Sequence, residues 1–275
     1  MTTDTSTSDP ALAAKHRAMW ASGDYPAVAA DLVAPLGPVL VEAAAIRAGD
    51  RVLDVAAGTG SVAIPAALAG ATVIASDLTP ELLERGKVTA AERGATLDWR
   101  EANAEALPFA DNEFDVVVSA IGVMFAPHHR PAADELVRVC RPGGRVGVIS
   151  WTPEGFIGQM FTTMKPFVPA PPPGALPPPL WGEEDHVRSL LGERVEEFTA
   201  RRGVLSVDAF TSGAAFRDYF KANYGPTISA YRNIAGESDR VVALDANLAA
   251  LGDRALGGGS SMQWEYLLVT ARRAA

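Results

Sequence analysis

A single cysteine, Cys140, occurs in the chain, so no internal disulfide framework is available to it. The four histidines, His16, His128, His129 and His186, share no ligand spacing with that cysteine or with one another, and no metal site is expected. Basic runs are missing too: 24 Lys and Arg lie scattered against 33 Asp and Glu, for a net charge of -9. A protein that grips nucleic acid needs a basic face to displace condensed counterions, so no nucleic-acid partner is expected. The longest apolar stretch, VVVSAIGVMFAP (116–127), is too short to cross a bilayer. The opening residues, MTTDTSTSDP, are polar and lack the apolar segment of a secretory signal. These absences point to the cytoplasm and to no membrane partner.

What is present is ordinary globular composition, 48% hydrophobic and 21% charged over 275 residues, enough for one elaborated domain with a sizeable core. Residues 1–10 have the composition of a disordered tail. From residue 11 to about 40 the chain is Ala-rich at helical spacing, with breaks near Gly23–Asp24 and Pro35–Pro38. An alternation follows. Strands are expected at 51–56, 72–77, 97–102, 114–122 and 145–151. Helices are expected from about 61, over 79–94 (capped by Thr79, with Pro80 in the first turn) and over 133–144, where Cys140 would be a buried small hydrophobe. Short apolar strands separated by helices imply right-handed crossovers and a parallel sheet covered on both faces.

Beyond Trp151 the pattern changes. A helix over about 153–167 gives way to eight prolines within residues 166–179, a stiff extended run placed where it could cover a site. A helix at 182–193, a strand at 195–207, a mainly helical stretch at 209–253 and a strand at 262–273 complete the reading. No internal repeat is visible.

The stretch VLDVAAGTGSVA (52–63) breaks an apolar strand into small residues before apolar residues resume. Gly58, Gly60 and Ala63 satisfy a dinucleotide-type glycine pattern, which by itself admits a nicotinamide dinucleotide or a sulfonium nucleoside. Asp54, four residues before Gly58, favours the second. A carboxylate beside a pyrophosphate repels it, whereas S-adenosylmethionine (SAM) carries an ammonium and a sulfonium and no phosphate. Asp77, 17 residues after Gly60, is placed to accept from two ribose hydroxyls in either case. Asn103, with the Ala104 backbone beside it, is placed to read an adenine edge.

Taken together, VLDVAAGTGSVA, ASDLTPELL, ANAEALPFADNEFDVVVS and VRVCRPGGRVGVISW occur in the order and spacing that resembles class I SAM-dependent methyltransferases, nearest the small-molecule and quinone-biosynthesis branch. The resemblance covers roughly residues 15–152 and the terminal strand. It implies a Rossmann-like, doubly wound α/β sheet of seven strands, mostly parallel, whose last strand (near 265–270) inserts antiparallel. It also implies a single domain over 11–275. The core would be about 40–151, 195–207 and 262–273, and helical substrate-cover insertions would be about 11–40, 152–182 and 208–255. Ala56, Gly58 and Gly60 would line the methionine and ribose side of SAM, and Asp77 would hold the ribose. Leu78 would pack on adenine, Asn103 and Ala104 would meet its edge, and Ser119 and Ala120 would border the methionine. Two positions depart from the family: Ala56 stands for the first glycine of the turn, and Asn103 for a common aspartate.

The expected reaction is methyl transfer from SAM to a small, fairly apolar metabolite, the accepting atom (O, N or C) being open. Apolar walls are expected from 121–125, 156–161, the proline run, Tyr219, Phe220 and Tyr224, with Tyr25 as a further lid candidate. His128 and His129, just after the fourth strand, are the candidate bases. The alternative is a protein of the same fold that binds SAM without methylating.

Overall fold

The computed structural model describes residues 10–275, so the tail expected to be disordered lies almost wholly outside the described residues. Seven strands form one sheet: β1 (Arg51–Val55), β2 (Thr72–Asp77), β3 (Asp98–Glu101), β4 (Phe114–Ala120), β5 (Cys140–Trp151), β6 (Val195–Val207) and β7 (Met262–Arg273). Their spatial order is β3-β2-β1-β4-β5-β7-β6. β3, β2, β1, β4 and β5 pair parallel, and β7 runs antiparallel to both of its neighbours, as the resemblance implies. Val52, Leu53, Val55, Val116, Val117 and Val118 are all fully buried, which is why these central strands read as continuous apolar runs rather than alternating ones.

Helices cover both faces: α1 (Pro10–Trp20), α2 (Tyr25–Val28), α3 (Leu36–Ala43), α4 (Ala63–Leu68), α5 (Pro80–Glu92), α6 (His129–Val139), α7 (Phe156–Met164), α8 (Glu184–Leu191), α9 (Gly213–Asn223), α10 (Gly225–Asn233) and α11 (Ser238–Leu256). A π-helical turn over 29–33 carries α2 towards α3. Among the described residues no single helix is long and apolar enough to cross a membrane.

Two sequence expectations fail here, each for a local reason. The helix expected to run to 144 ends at Val139, and Cys140 begins β5 with an extended backbone (φ -73, ψ 134). Cys140 pairs with Phe114, and the register then shifts so that Arg145 meets Val116. Pro142–Gly144 therefore forms a bulge within a strand rather than a helix stop. Cys140 is nonetheless buried, as a small hydrophobe would be. The fourth strand, expected to reach 122, ends at Ala120 because Ile121 takes a left-handed backbone (φ 64). A β-branched residue there is strained, and Ile121 lines the cavity described next.

Candidate active site

The cavity opens beyond the carboxyl ends of β1, β2 and β4, where ligands of open α/β sheets bind, and holds about 960 Å³ of space continuous with solvent. Asp54 lines it from the end of β1, and Ala56 and Gly58 from the loop that follows. Asp77 and Leu78 line it from the end of β2, Asn103 and Ala104 from the loop after β3, and Ala120 from the end of β4.

The glycine loop is shaped by close approaches. A Cβ on Gly60 (φ +86) would meet the Trp99 ring at 2.8 Å, and one on Gly122 would sit 2.1 Å from the Ala56 carbonyl oxygen. Ala56 itself adopts φ 53, in the left-handed region that favours glycine, so its methyl is tolerated at a steric cost of roughly 1–2 kcal/mol.

Asp77 holds this loop to β2: the Gly58 N–H donates to one carboxylate oxygen at 2.8 Å and the Thr79 N–H to the other at 2.8 Å. Burial raises the Asp77 pKa, and these two N–H donors oppose the rise. Asp54 accepts from the Ala63 N–H at 2.9 Å through one oxygen, while the other, Oδ1, is buried with no partner. Burial pushes the Asp54 carboxyl up to about 8, with the charge of Asp77 adding to the effect. An unpartnered buried carboxylate oxygen on a cavity wall fits a cationic group and would be costly without one.

Two of the residues expected to touch SAM stand back from the cavity. Ser119 is buried, its hydroxyl donating to the Val55 carbonyl at 2.7 Å and accepting from the Val123 N–H at 2.9 Å, so it ties β4 to β1 and the turn after it. Gly60 shapes the loop from behind, against Trp99. The Asn103 carbonyl accepts from the Glu105 N–H at 3.0 Å, so the amide forms its own turn while still lining the cavity.

Neither candidate base is among the residues that line the cavity. His129 begins α6 fully buried, its Nδ1 2.9 Å from His186 Nε2 and its ring against Trp181, away from the cavity lining. Burial and His186 bring its pKa down to about 4. His128 accepts no cavity position either; its ring Nδ1 is 3.0 Å from Glu105, which also accepts the His128 backbone N–H at 2.7 Å. The sequence could place both after the fourth strand but carried no signal of which way each ring turns. His129→Ala is expected to leave SAM affinity within about twofold while costing about 2–3 kcal/mol of stability, read by calorimetry and thermal melting.

The residues that do wall the cavity opposite the sheet come from the N-terminal helices. His16, Trp20, Tyr25, Val33 and Leu36 line it, joined by Phe125 from the turn after β4. Arg17 fastens α1 there, donating from Nε to the Leu78 carbonyl at 3.0 Å and pairing with Glu101. Neither 152–182 nor 208–255 contributes a lining residue. They supply a second layer instead: Tyr224 stacks edge-on to Trp20 and Phe161 to Phe125, while Phe220 packs into the core with Phe216. The proline run is pinned alongside, the Leu176 N–H donating to the Pro127 carbonyl at 3.0 Å. His16 and Trp20, four apart on α1, were detectable as one helix face but not as a cavity wall.

Comparison with known proteins decides the family. Residues 53–148 match the family described as a methyltransferase domain. An uncharacterized protein of Mycobacterium tuberculosis is 56% identical over 99% of this chain and 100% of its own length. The ubiquinone/menaquinone biosynthesis C-methyltransferase UbiE of Zymomonas mobilis is 36% identical over 55% of this chain and 62% of its own. The chain carries a methyltransferase domain over residues 53–148. Phosphoethanolamine N-methyltransferase 2 of Haemonchus contortus, solved with SAM, shares the fold of this methyltransferase at a TM-score of 0.55, with 14% identity over 88% of this chain and 53% of that one. The matched residues span the loop, β2 and β4 segments that line the cavity.

Proposed function

We propose that the methyltransferase moves the methyl group of SAM to a small, fairly apolar acceptor bound in the same cavity. The observation that carries this is the pairing, on one wall, of the partnerless Asp54 Oδ1 with the loop-bound Asp77, facing an aromatic wall with no cationic side chain. Asp54 would meet the cationic methionine end, and Asp77, whose oxygens each keep a lone pair beyond the backbone bond, would accept from the ribose. Leu78, Asn103 and Ala104 would bound the adenine. Bound there, SAM supplies an electrophilic methyl group on a sulfonium.

The chain's own contribution is alignment and dryness. Trp20, Phe125 and Ile121 are apolar walls near Ala120 that would shield a bound nucleophile from water. His16 is the lining histidine; burial lowers its pKa, so it is uncharged at neutral pH and able to take a proton.

The test is calorimetric titration with SAM, S-adenosylhomocysteine and NAD, run separately and in two buffers of different ionisation enthalpy. Both sulfur nucleosides are expected to bind and NAD is not. Asp54, protonated below about pH 8 in the free protein, must ionise against the incoming cation. Binding at pH 7 should therefore release a proton, and affinity should climb as pH rises from 6 to 8, by up to about tenfold per unit. Asp54→Asn should abolish the release. NAD binding alone would overturn the reading.

A further inference from the structure

We propose that the methyl acceptor is an uncharged aromatic molecule, held by Trp20, Tyr25 and Phe125 on the wall facing Asp54 and Asp77. The inference rests on the methyltransferase reading above and narrows it by shape and by charge.

The shape is set by rings that hold one another. Trp20 meets Tyr25 edge-on at 5.2 Å and 79°, and Phe125 edge-on at 4.7 Å and 70°. Behind them, Tyr224 abuts Trp20 at 5.8 Å and Phe161 abuts Phe125 at 5.9 Å, both again edge-on. The three lining rings come from α1, α2 and the turn after β4, so they form a box corner built by three separate elements. Such rings are already ordered, lose few rotamers on binding, and offer faces and edges to a flat guest. An aliphatic guest of equal size would fill the space without the ring-to-ring geometry, worth about 0.5–1.5 kcal/mol per pair.

The charge is set by what the lining contains. Its ionisable side chains are His16, Tyr25, Asp54 and Asp77, and neither Lys nor Arg is among them. The nearest guanidinium on that wall, Arg17, is engaged by the Leu78 carbonyl and Glu101. An acceptor bearing a carboxylate, phosphate or sulfonate would find no Lys or Arg in the lining to pair with, the cationic end of SAM being already matched by Asp54. A cationic acceptor fares badly for the opposite reason, because it would have to approach a sulfonium. The uncharged molecule is what remains.

The experiment uses the whole protein saturated with S-adenosylhomocysteine and titrated calorimetrically at pH 7 with 2-naphthol, 2-naphthoate and decahydro-2-naphthol. The aromatic alcohol is expected to bind at least about tenfold more tightly than the carboxylate and about threefold more tightly than its saturated counterpart. Phe125→Leu should weaken 2-naphthol about fivefold while S-adenosylhomocysteine still binds, which also reports that the variant is folded. Equal or tighter binding of the carboxylate overturns the charge argument, and equal or tighter binding of the saturated alcohol overturns the aromatic one. Absence of binding by all three at millimolar concentration overturns both. If S-adenosylhomocysteine itself fails to bind, the methyltransferase reading of the cavity fails first, and the two failures are told apart.

Discussion

Asp77→Ala is expected to weaken SAM and S-adenosylhomocysteine binding by at least about 100-fold, because two charge-assisted hydrogen bonds at about 1.5–3 kcal/mol each would be lost. The carboxylate has a second duty, since it accepts the Gly58 and Thr79 N–H groups and so holds the glycine loop against the end of β2. Asp77→Asn separates the two roles. It keeps one carbonyl acceptor for a backbone N–H but removes the charge, so its affinity should fall between the parent and the alanine variant. Calorimetry on protein shown to be folded by its melting transition is the measurement. Near-parental affinity in Asp77→Ala would remove Asp77 from the ribose.

Gly122→Ala should damage fold and site together. The added methyl would lie 2.1 Å from the Ala56 carbonyl oxygen and 2.7 Å from the Ala56 Cβ, and the first of these is backbone that no rotamer change can move aside. Either the loop after β1 or the turn after β4 must retreat, and both line the cavity. A cost of about 2–3 kcal/mol is expected, roughly 5–10 °C in Tm, with at least about tenfold loss of SAM affinity. An unchanged Tm and an unchanged Kd would mean that the approach is looser than described.

Much of this architecture was legible because its signals are one-dimensional. β2, β6 and β7 fall where apolar runs predicted them, and Pro80 opens α5 behind Thr79. The helix-to-strand change at Cys140 was not legible, since a Cys-Arg-Pro-Gly-Gly run ends a helix as readily as it bulges a strand. What decides it is pairing with Phe114, a partner 26 residues away. The cavity splits the same way. Asp54, Asp77 and Asn103 sit at strand ends, which periodicity locates, and all three line the cavity. Ser119 also sits at a strand end, yet its hydroxyl turns back to Val55. His129 turns towards His186, 57 residues distant, a choice made by the packing of α6 on α8. Trp20 and His16 were hidden for a related reason: α1 has no fully buried residue, so its ordinary amphipathic pattern is faint, and its wall of the cavity exists only once Arg17 reaches Leu78.

The position of β7 has a consequence for the birth of the protein. β5 and β6 are separated in the sheet by a strand that follows both of them in the chain. While the chain is being made at about 5–20 residues per second, the parallel half from β3 to β5 can assemble, but β5 is left with a bare edge and β6 with no partner. Only the emergence of residues 262–273 seals both at once. A ribosome stalled before Met262 would thus hold a nascent chain with two open edges, a natural client for chaperones.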